Sequence, residues 1–223
     1  IKKWGLDWWT KTANSIEISQ LVSNSLLIAF FVTILSTIIA FCGALAFARF
    51  SWKGKKMFQK IILMPVFFPQ PVLGLALLLW FNAIGIPLSW HTAVFAHLVW
   101  ITPVVTLVIA IQVYGFDPTL EDAAKDLGAT PFQIFWRVTL PLLWPGIWSG
   151  MLFAFLLSWG NFPLSLYTTG VDNTVPKWLY SKMVAGYTPM VPTLGTMSTL
   201  GAAGLMLLGA LTVYMMHRRQ GRI

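Results

Sequence analysis

Two long stretches of this chain carry no Asp, Glu, Lys or Arg, and they restrict its fold more than any other feature. The first extends from residue 18 to residue 48, and the second from residue 61 to residue 116. An α-helix needs about 20 apolar residues to cross the hydrocarbon core of a bilayer. The first stretch is therefore predicted to cross a membrane once. The second is long enough to cross twice, because the polar, helix-breaking residues 82–91 divide it.

The whole chain is predicted to be one all-α domain, a polytopic transmembrane helix bundle over residues 1–223. Five spans are predicted at about 22–48, 61–81, 92–114, 143–166 and 194–216. The composition agrees, since 57% of the residues are hydrophobic and only 10% are charged. A water-soluble domain needs more charge than this to cover its surface.

Three prolines lie close together in the second predicted span. Pro65, Pro69 and Pro71 free backbone carbonyls that lipid cannot satisfy, so this stretch should be broken and should face protein or water. Gln70, between two of the prolines, is a candidate residue for a solute path. A kink that only shapes helix packing explains the prolines equally well.

Residues 117–140 form the charged block between apolar runs, and they are predicted to fold as two short helices with a sharp corner. Asp117 is expected to cap the first helix, with Pro118 at the first helical position. Gly128 suits the positive φ that often follows a helix end. The pattern therefore predicts a first helix that stops at Gly128.

The second short helix has its own start and stop signals. Thr130 is expected to cap it, with Pro131 at the first position and Gln133 completing a capping box. Pro141 is expected to end it, because proline lacks the N–H that a helix interior requires.

This block resembles the cytoplasmic loop of ABC-importer permeases. The residues that carry the resemblance are Asp122, Ala123, Ala124, Gly128, Val138, Leu140 and Pro141. Two of them depart mildly from the family pattern, since Asp122 stands where Glu is usual and Val138 where Ile is usual. The resemblance implies a type I, MetI-like permease whose helix pair couples to an ATPase through residues Glu121, Asp122, Ala123, Ala124, Leu127, Gly128, Ala129, Pro131 and Phe132. The alternative is a surface or re-entrant helix–turn–helix without a partner.

The resemblance also implies the partners of such a subunit. They are two ATP-binding subunits, a second permease subunit (identical or homologous), an external solute-binding protein and the lipid bilayer. No cofactor is expected in this chain, because it contains no GxxxxGK[ST] nucleotide loop. ATP and Mg²⁺ are expected in the partner ATPase.

The distribution of positive charge predicts the orientation. With the C-terminus inside, ten Lys and Arg residues lie on the inner side and five on the outer side. The helix pair and the C-terminus are therefore expected in the cytoplasm of a bacterium, with the spans in its inner membrane. Five spans then place the first residue outside, which implies a further span upstream of this sequence. Because the basic residues lie between apolar runs, they indicate topology and not nucleic-acid binding.

The sequence offers no catalytic constellation and no metal site, so enzyme activity is not expected. His91 and His97 lie six residues apart, on different faces of a helix, and His91 is expected in an outer loop. Cys42 lies within an apolar run, where packing is the simplest role.

A second broken, polar stretch covers residues 158–170, and it is the best sequence pointer to a solute path. Ser158, Trp159, Asn161 and Tyr167, with Gln70, are the candidate path residues. Each of them also suits simple hydrogen bonding between helices. The chain is most similar to the spermidine/putrescine branch of these permeases, through WGLDWWTK, the 115–141 block and WLYSKMVAGYTPMVPTLGTMSTL. Polyamine-type relatives tend to carry acidic residues where Gly160 and Asn161 stand here. Their absence argues against a polycationic solute, unless the second permease subunit supplies the acidic residues.

Two other function classes remain open from the residues alone. A secondary carrier driven by protons normally holds ionisable groups at mid-membrane depth, and the predicted spans contain no acid. Sodium can instead be held by backbone carbonyls, so sodium coupling is excluded less firmly. A structural subunit of a membrane complex would explain the spans but not the capped helix pair.

Overall fold

The computed structural model describes residues 7–220, and between them the chain is helical without any β-strand. Residues 4–6, which begin the WGLDWWTK segment, lie outside the described part. The helices, in chain order, are α1 (Asp7–Ala13), α2 (Ile16–Arg49), α3 (Lys55–Phe67), α4 (Gln70–Ala83), α5 (Trp90–Tyr114), α6 (Thr119–Asp126), α7 (Pro131–Ile134), α8 (Leu140–Trp159), α9 (Pro163–Thr168), α10 (Val175–Ala185) and α11 (Met190–Gln220). A π-helical turn at Phe135–Thr139 joins α7 to α8. The prediction of an all-α chain is confirmed.

Four helices within the described residues are long and apolar enough to cross a membrane. They cover Ile16–Arg49, Trp90–Tyr114, Pro131–Trp159 and Met190–Met215. The bent pair α3–α4 is a fifth candidate. The count of five spans stays a prediction, since length and composition alone support it.

The core of the bundle forms where α2, α5 and α8 pack against one another. Val32, Ile101, Ile109 and Leu143 are almost completely buried there. Gly150 allows α8 to approach α5 closely, because a Cβ at this position would lie 2.7 Å from Ile109 Cγ1. Large apolar side chains on the outer faces of the same helices remain exposed, as expected of surfaces that face lipid.

Helix α11 lies at the edge of this core and packs on α8 and α1. Two indole N–H groups of α8 donate to hydroxyls of α11: Trp148 Nε1 to Thr212 Oγ1 at 2.7 Å, and Trp159 Nε1 to Ser198 Oγ at 3.0 Å. Indole groups need such partners when they leave water.

The proline-rich segment turns through 100° between α3 and α4. The turn falls at Phe68 and Pro69, and Pro69 lies at the N-cap of α4. The break expected from the prolines therefore occurs. The helix before the break begins at Lys55, six residues earlier than the predicted span, because Gly54 adopts a φ of 91° and starts a new helix there.

Three sequence expectations about helix ends are wrong. Pro141 does not end the second short helix, because the π-helical turn changes the hydrogen-bond register just before it: the Leu140 N–H bonds Phe135 O, and the chain continues as α8. The helix predicted to reach residue 166 ends at Trp159, where Gly160 caps it, and Pro163 starts α9. His91 lies in the first turn of α5, not in a loop, because Asp172 Oδ2 accepts the Trp90 N–H at 2.9 Å and starts the helix early.

Candidate functional site

The helix pair (residues 117–140) begins with a side-chain cap. Asp117 Oδ1 accepts the Thr119 N–H at 2.9 Å. This hydrogen bond lowers the pKa of the fully exposed Asp117 carboxyl. Because the folded pKa is lowered, the cap stabilises the helix above the ordinary pKa of aspartate, and this stabilisation is lost as the pH falls through the lowered pKa. The predicted hydrogen bond from Asp117 to the start of α6 is present, although the helix begins at Thr119 with Pro118, not Asp117, at the N-cap.

The corner between α6 and α7 is a Schellman motif centred on Gly128. Gly128 has a φ of 80°, and its N–H donates to Lys125 O at 2.8 Å. The Ala129 N–H donates to Ala124 O at 3.0 Å, which is the second bond of the motif. A residue with a Cβ is strained at this φ, so glycine fixes the angle between the two helices.

Helix α7 starts with the predicted capping box. Gln133 Oε1 accepts the Thr130 N–H at 2.9 Å, and Thr130 Oγ1 accepts the Gln133 N–H at 3.4 Å. The corner is thus closed on both sides by local hydrogen bonds, which makes residues 127–133 a rigid unit.

The outer surface of the helix pair is apolar for a segment with this much charge. Leu127 is 89% exposed and Phe132 is 72% exposed, and Leu120 and Trp136 are exposed as well. Of the other predicted coupling residues, Asp122, Ala123, Gly128 and Pro131 are also exposed, and Ala124 and Ala129 are half-buried. Asp122 forms an ion pair with Lys125 at 2.7 Å on the same surface.

Glu121 differs from the other predicted coupling residues because its carboxylate is used inside the chain. It accepts two hydrogen bonds from the Arg49 guanidinium, each at 3.0 Å, and one from Thr139 Oγ1 at 2.6 Å. Arg49 ends α2, and Thr139 ends the π-helical turn. Sequence reasoning missed both of these partners.

A second group of polar side chains surrounds the break at residues 160–162. His97, which is buried in α5, contacts Ser158 Oγ at 2.9 Å through Nδ1 and Ser165 Oγ at 3.1 Å through Nε2. Ser165 donates its hydroxyl hydrogen to Asn161 O at 2.7 Å. The Ser165 oxygen therefore accepts from His97 Nε2, and Nδ1 accepts from Ser158, which assigns the tautomer.

Of the five predicted path residues, the structure brings Gln70 and Asn161 into contact. Asn161 Nδ2 donates to Gln70 Oε1 at 3.3 Å, which joins the start of α4 to the break after α8. Ser158 is buried against His97. Trp159 points the other way, towards α11, and lines a cavity of about 370 Å³ with Thr12 and Ser198.

Tyr167, the fifth of these residues, packs against α4. A Cβ at Gly74 would lie 2.9 Å from Tyr167 Cδ2, so the glycine leaves room for the ring. Gln70 and Asn161 are therefore in direct contact, and Ser158 joins the same polar cluster only through His97 and Ser165. His97 was missed, although a titratable side chain within a charge-free run needs partners and is a signal in itself.

The segment after α9 is closed by another glycine with a positive φ. Gly170 has a φ of 58°, and Lys177 Nζ donates to its carbonyl oxygen at 2.7 Å. Burial lowers the pKa of Lys177, and Asp172 acts in the opposite direction. The bond from Lys177 ties α10 to the end of the polar break.

Replacing His97 with leucine is expected to leave the hydroxyls of Ser158 and Ser165 without this partner. Ser165 keeps its bond to Asn161 O, so Ser158 is the group that loses its side-chain partner. One unsatisfied buried group costs about 1–3 kcal/mol, so we expect a loss of about 2 kcal/mol. Thermal unfolding of the detergent-solubilised protein measures it. His91→Leu is the matched control: His91 is exposed, and we expect a change within about 0.5 kcal/mol. Equal melting temperatures for His97→Leu and the wild type would contradict the assigned network.

Metal binding has no support from side-chain geometry in the described residues. No group of three or more His, Cys, Asp or Glu side chains lies close enough together to hold an ion between residues 7 and 220. Cys42 is a free, exposed cysteine.

Comparison with known proteins gives consistent matches. Residues 34–222 match the family described as "Binding-protein-dependent transport system inner membrane component". The spermidine/putrescine transport system permease protein PotC of Haemophilus influenzae is 31% identical over 211 residues, which cover 94% of this chain and 82% of PotC. Among solved structures, a subunit of the MetNI methionine ABC transporter, in inward-facing conformations, superposes with a TM-score of 0.71 at 16% identity, covering 91% of this chain and 99% of that one.

A second solved structure is a subunit of a bacterial ABC transporter involved in the import of the acidic polysaccharide alginate. It superposes with a TM-score of 0.75 at 15% identity, covering 96% of this chain and 84% of that one. At these identities the two structures show a shared fold and nothing further about this chain.

Proposed function

This chain belongs to the family of binding-protein-dependent transport system inner membrane components, and from that premise we propose how it works as the permease subunit of an ABC importer. We propose that it pairs with a second permease subunit, identical or homologous. Two ATP-binding subunits would dock on the inner face of this pair, and an external solute-binding protein would deliver the solute on the other side.

The observation that carries this proposal is the construction of the helix pair. Its corner is fixed by Gly128 and the capping box. Its outer surface exposes Leu127 and Phe132, and such an apolar patch on the surface is typical of a site that binds another protein. A rigid corner with an apolar surface suits docking into a groove of a soluble partner. ATP hydrolysis, with its Mg²⁺, is assigned to that partner.

We place the helix pair in the cytoplasm. It lies at the end of α2 that carries Arg49, whereas Glu17, at the other end, bonds the Trp178 indole of α10 at 2.7 Å. Helix α2 has 34 residues, so these two ends are about 50 Å apart, more than a bilayer core is thick. The excess of Lys and Arg on the helix-pair side supports the cytoplasmic assignment.

The mechanism that we propose is alternating access. Closure of the two ATPase subunits would push on the helix pair, and the α2–α5–α8 core would rock to expose the path on the outer side. The cluster of Gln70, Ser158 and Asn161 is the proposed path element in this subunit, because it lies where two helices are interrupted.

For the solute we propose a small organic molecule, and the polar cluster favours a neutral or zwitterionic one over a polycation. PotC is named for spermidine and putrescine. The amides of Gln70 and Asn161 carry no charge, and a polyamine crossing a low-dielectric path would need carboxylates nearby. An acid from the second permease subunit would reverse this preference.

ATP-dependent uptake in reconstituted vesicles tests the proposal. The chain is expressed together with its second permease subunit, its ATP-binding subunits and its solute-binding protein, and the complex is purified through a tag on this chain. Uptake of amines, amino acids and oligosaccharides is then measured. We expect an ATPase to co-purify, and uptake to require both ATP and the external binding protein. Uptake driven by a proton or sodium gradient without ATP would favour the secondary carrier instead. A complex without any transport would favour the structural subunit.

A further inference from the structure

One carboxylate holds the first helix of the pair to two long helices of the bundle. Glu121 lies in α6, and its oxygens accept two bonds from Arg49 at the end of α2 and one from Thr139 just before α8. The three residues come from sequence positions up to 90 apart. They meet at a single point between the helix pair and the core.

The geometry of the contact between Glu121 and Arg49 fixes the relative orientation of the two side chains as well as their distance. The guanidinium and carboxylate are joined by two parallel bonds of 3.0 Å, the arrangement that resists rotation best. Both side chains are mostly shielded, with 24% of Arg49 and 19% of Glu121 exposed. The Arg49 guanidinium also lies over the Phe116 ring, 4.8 Å from its centroid.

The other ion pair of this region has a different character. Asp122 and Lys125 lie three residues apart on α6, with side chains 69% and 59% exposed. That pair stays within one helix and transmits nothing to the bundle. Glu121 therefore contacts the bundle, whereas Asp122 and Lys125 pair with each other on the outer surface, and Asp126 belongs to neither ion pair.

We infer that Glu121 is the residue through which the helix pair moves the bundle, and that Arg49 and Thr139 are the positioning residues that hold it. This inference rests on the proposed function. A displacement of α6 would pass through Glu121 to α2 and to α8, and both of these helices pack on α5 in the core. Without this tie, α6 would be attached to the spans mainly through its backbone connections and the corner at Gly128.

The direct test is Glu121→Gln in the full complex, reconstituted with its ATPase and binding protein. Glutamine keeps the shape of the side chain but cannot form the charged, two-bond contact with Arg49. We expect the number of solute molecules moved per ATP hydrolysed to fall about tenfold or more, while ATP hydrolysis continues. Asp7→Asn removes a carboxylate from α1, outside the helix pair, and Asp7 forms no ion pair among the described residues, so its ratio should match the wild type.

Thr139 provides a second test that leaves all charges in place. Thr139→Val keeps the shape of this buried side chain and removes the hydroxyl that donates to Glu121, so the transport-to-hydrolysis ratio should fall. Thr139→Ser keeps the hydroxyl and should restore the ratio. A role confined to folding would instead lower the amount of assembled complex and leave the ratio unchanged.

The outcomes separate this inference from the proposed function. If the wild-type complex shows no ATP-dependent uptake, the proposed function is wrong. If the wild type transports, and both Glu121→Gln and Thr139→Val keep its ratio in the complexes that assemble, only the role of Glu121 is overturned. A lowered ratio in both variants, with serine rescue at position 139, is the result expected here.

Discussion

A variant with valine in place of Gly128 is expected to insert into the membrane normally and to lose most of its ATP-driven transport. Apart from its two chain neighbours, no atom lies within 4 Å of the position that a Cβ would take, so the Cβ itself meets open space. The cost arises from the φ of 80°, which is unfavourable by about 1–2 kcal/mol for a residue with a Cβ. Rotating out of this φ would break the Schellman bonds and change the angle between α6 and α7. We expect uptake to fall about tenfold or more at an unchanged amount of protein.

Gly54→Val is the matched control for that experiment. Gly54 has a φ of 91° and also has no atom within 4 Å of its Cβ position, but it lies before α3 and not in the helix pair. It carries the same type of backbone strain outside the proposed docking surface. Normal uptake by Gly128→Val, or an equal loss in both variants, would contradict a special role for the corner.

The second large effect is expected at Gly170, where alanine should strongly destabilise the folded protein. A Cβ there would overlap the Leu88 carbonyl oxygen and lie 2.8 Å from Leu88 C, so the backbone must move. The φ of 58° adds about 1–2 kcal/mol and the overpacking about 1–3 kcal/mol. Together these terms are a large part of the stability of a typical domain. We expect a much lower yield in the membrane and a lower melting temperature in detergent.

Gly85→Ala separates the two contributions. Gly85 has a φ of 74°, but no atom lies within 4 Å of its Cβ position, so it should show only the cost of the backbone conformation. The difference between the two variants measures the contact with Leu88. If Gly170→Ala were no less stable than Gly85→Ala, the close packing of residues 86–89 against the end of the polar break would be wrong.

The parts of the fold that depend on local sequence were predictable. The caps of α6 and α7 and the positive φ of Gly128 follow from residues within four positions of each other, and the structure has all of them. The apolar runs likewise predicted the positions of the long helices to within a few residues, except at Ile16 and Lys55, which begin their helices six residues earlier than predicted, and at Trp159.

The parts that depend on contacts between distant residues were not predictable. Pro141 was predicted to end a helix because proline lacks an N–H. The π-helical turn just before it, which lets the helix continue, is not visible in the sequence pattern. The tie between Glu121 and Arg49 joins residues 72 positions apart, and nothing in either local sequence indicates it. The candidate path was only partly right for the same reason: Gln70 and Asn161 meet, whereas Trp159 turns to Ser198 on α11.

The central claim is that the helix pair docks on a separate ATPase in the cytoplasm, and photo-cross-linking from position 127 tests it most directly. Leu127 is 89% exposed at the corner, so a photoreactive amino acid fits there without disturbing the core. Tyr187, 73% exposed and near α10 at the opposite end of the bundle, is the control position. We expect irradiation of the complete complex to yield a covalent adduct between position 127 and the ATP-hydrolysing subunit, with no such adduct from position 187. An adduct from position 127 with an external protein, or none at all in a complex that transports, would contradict the account.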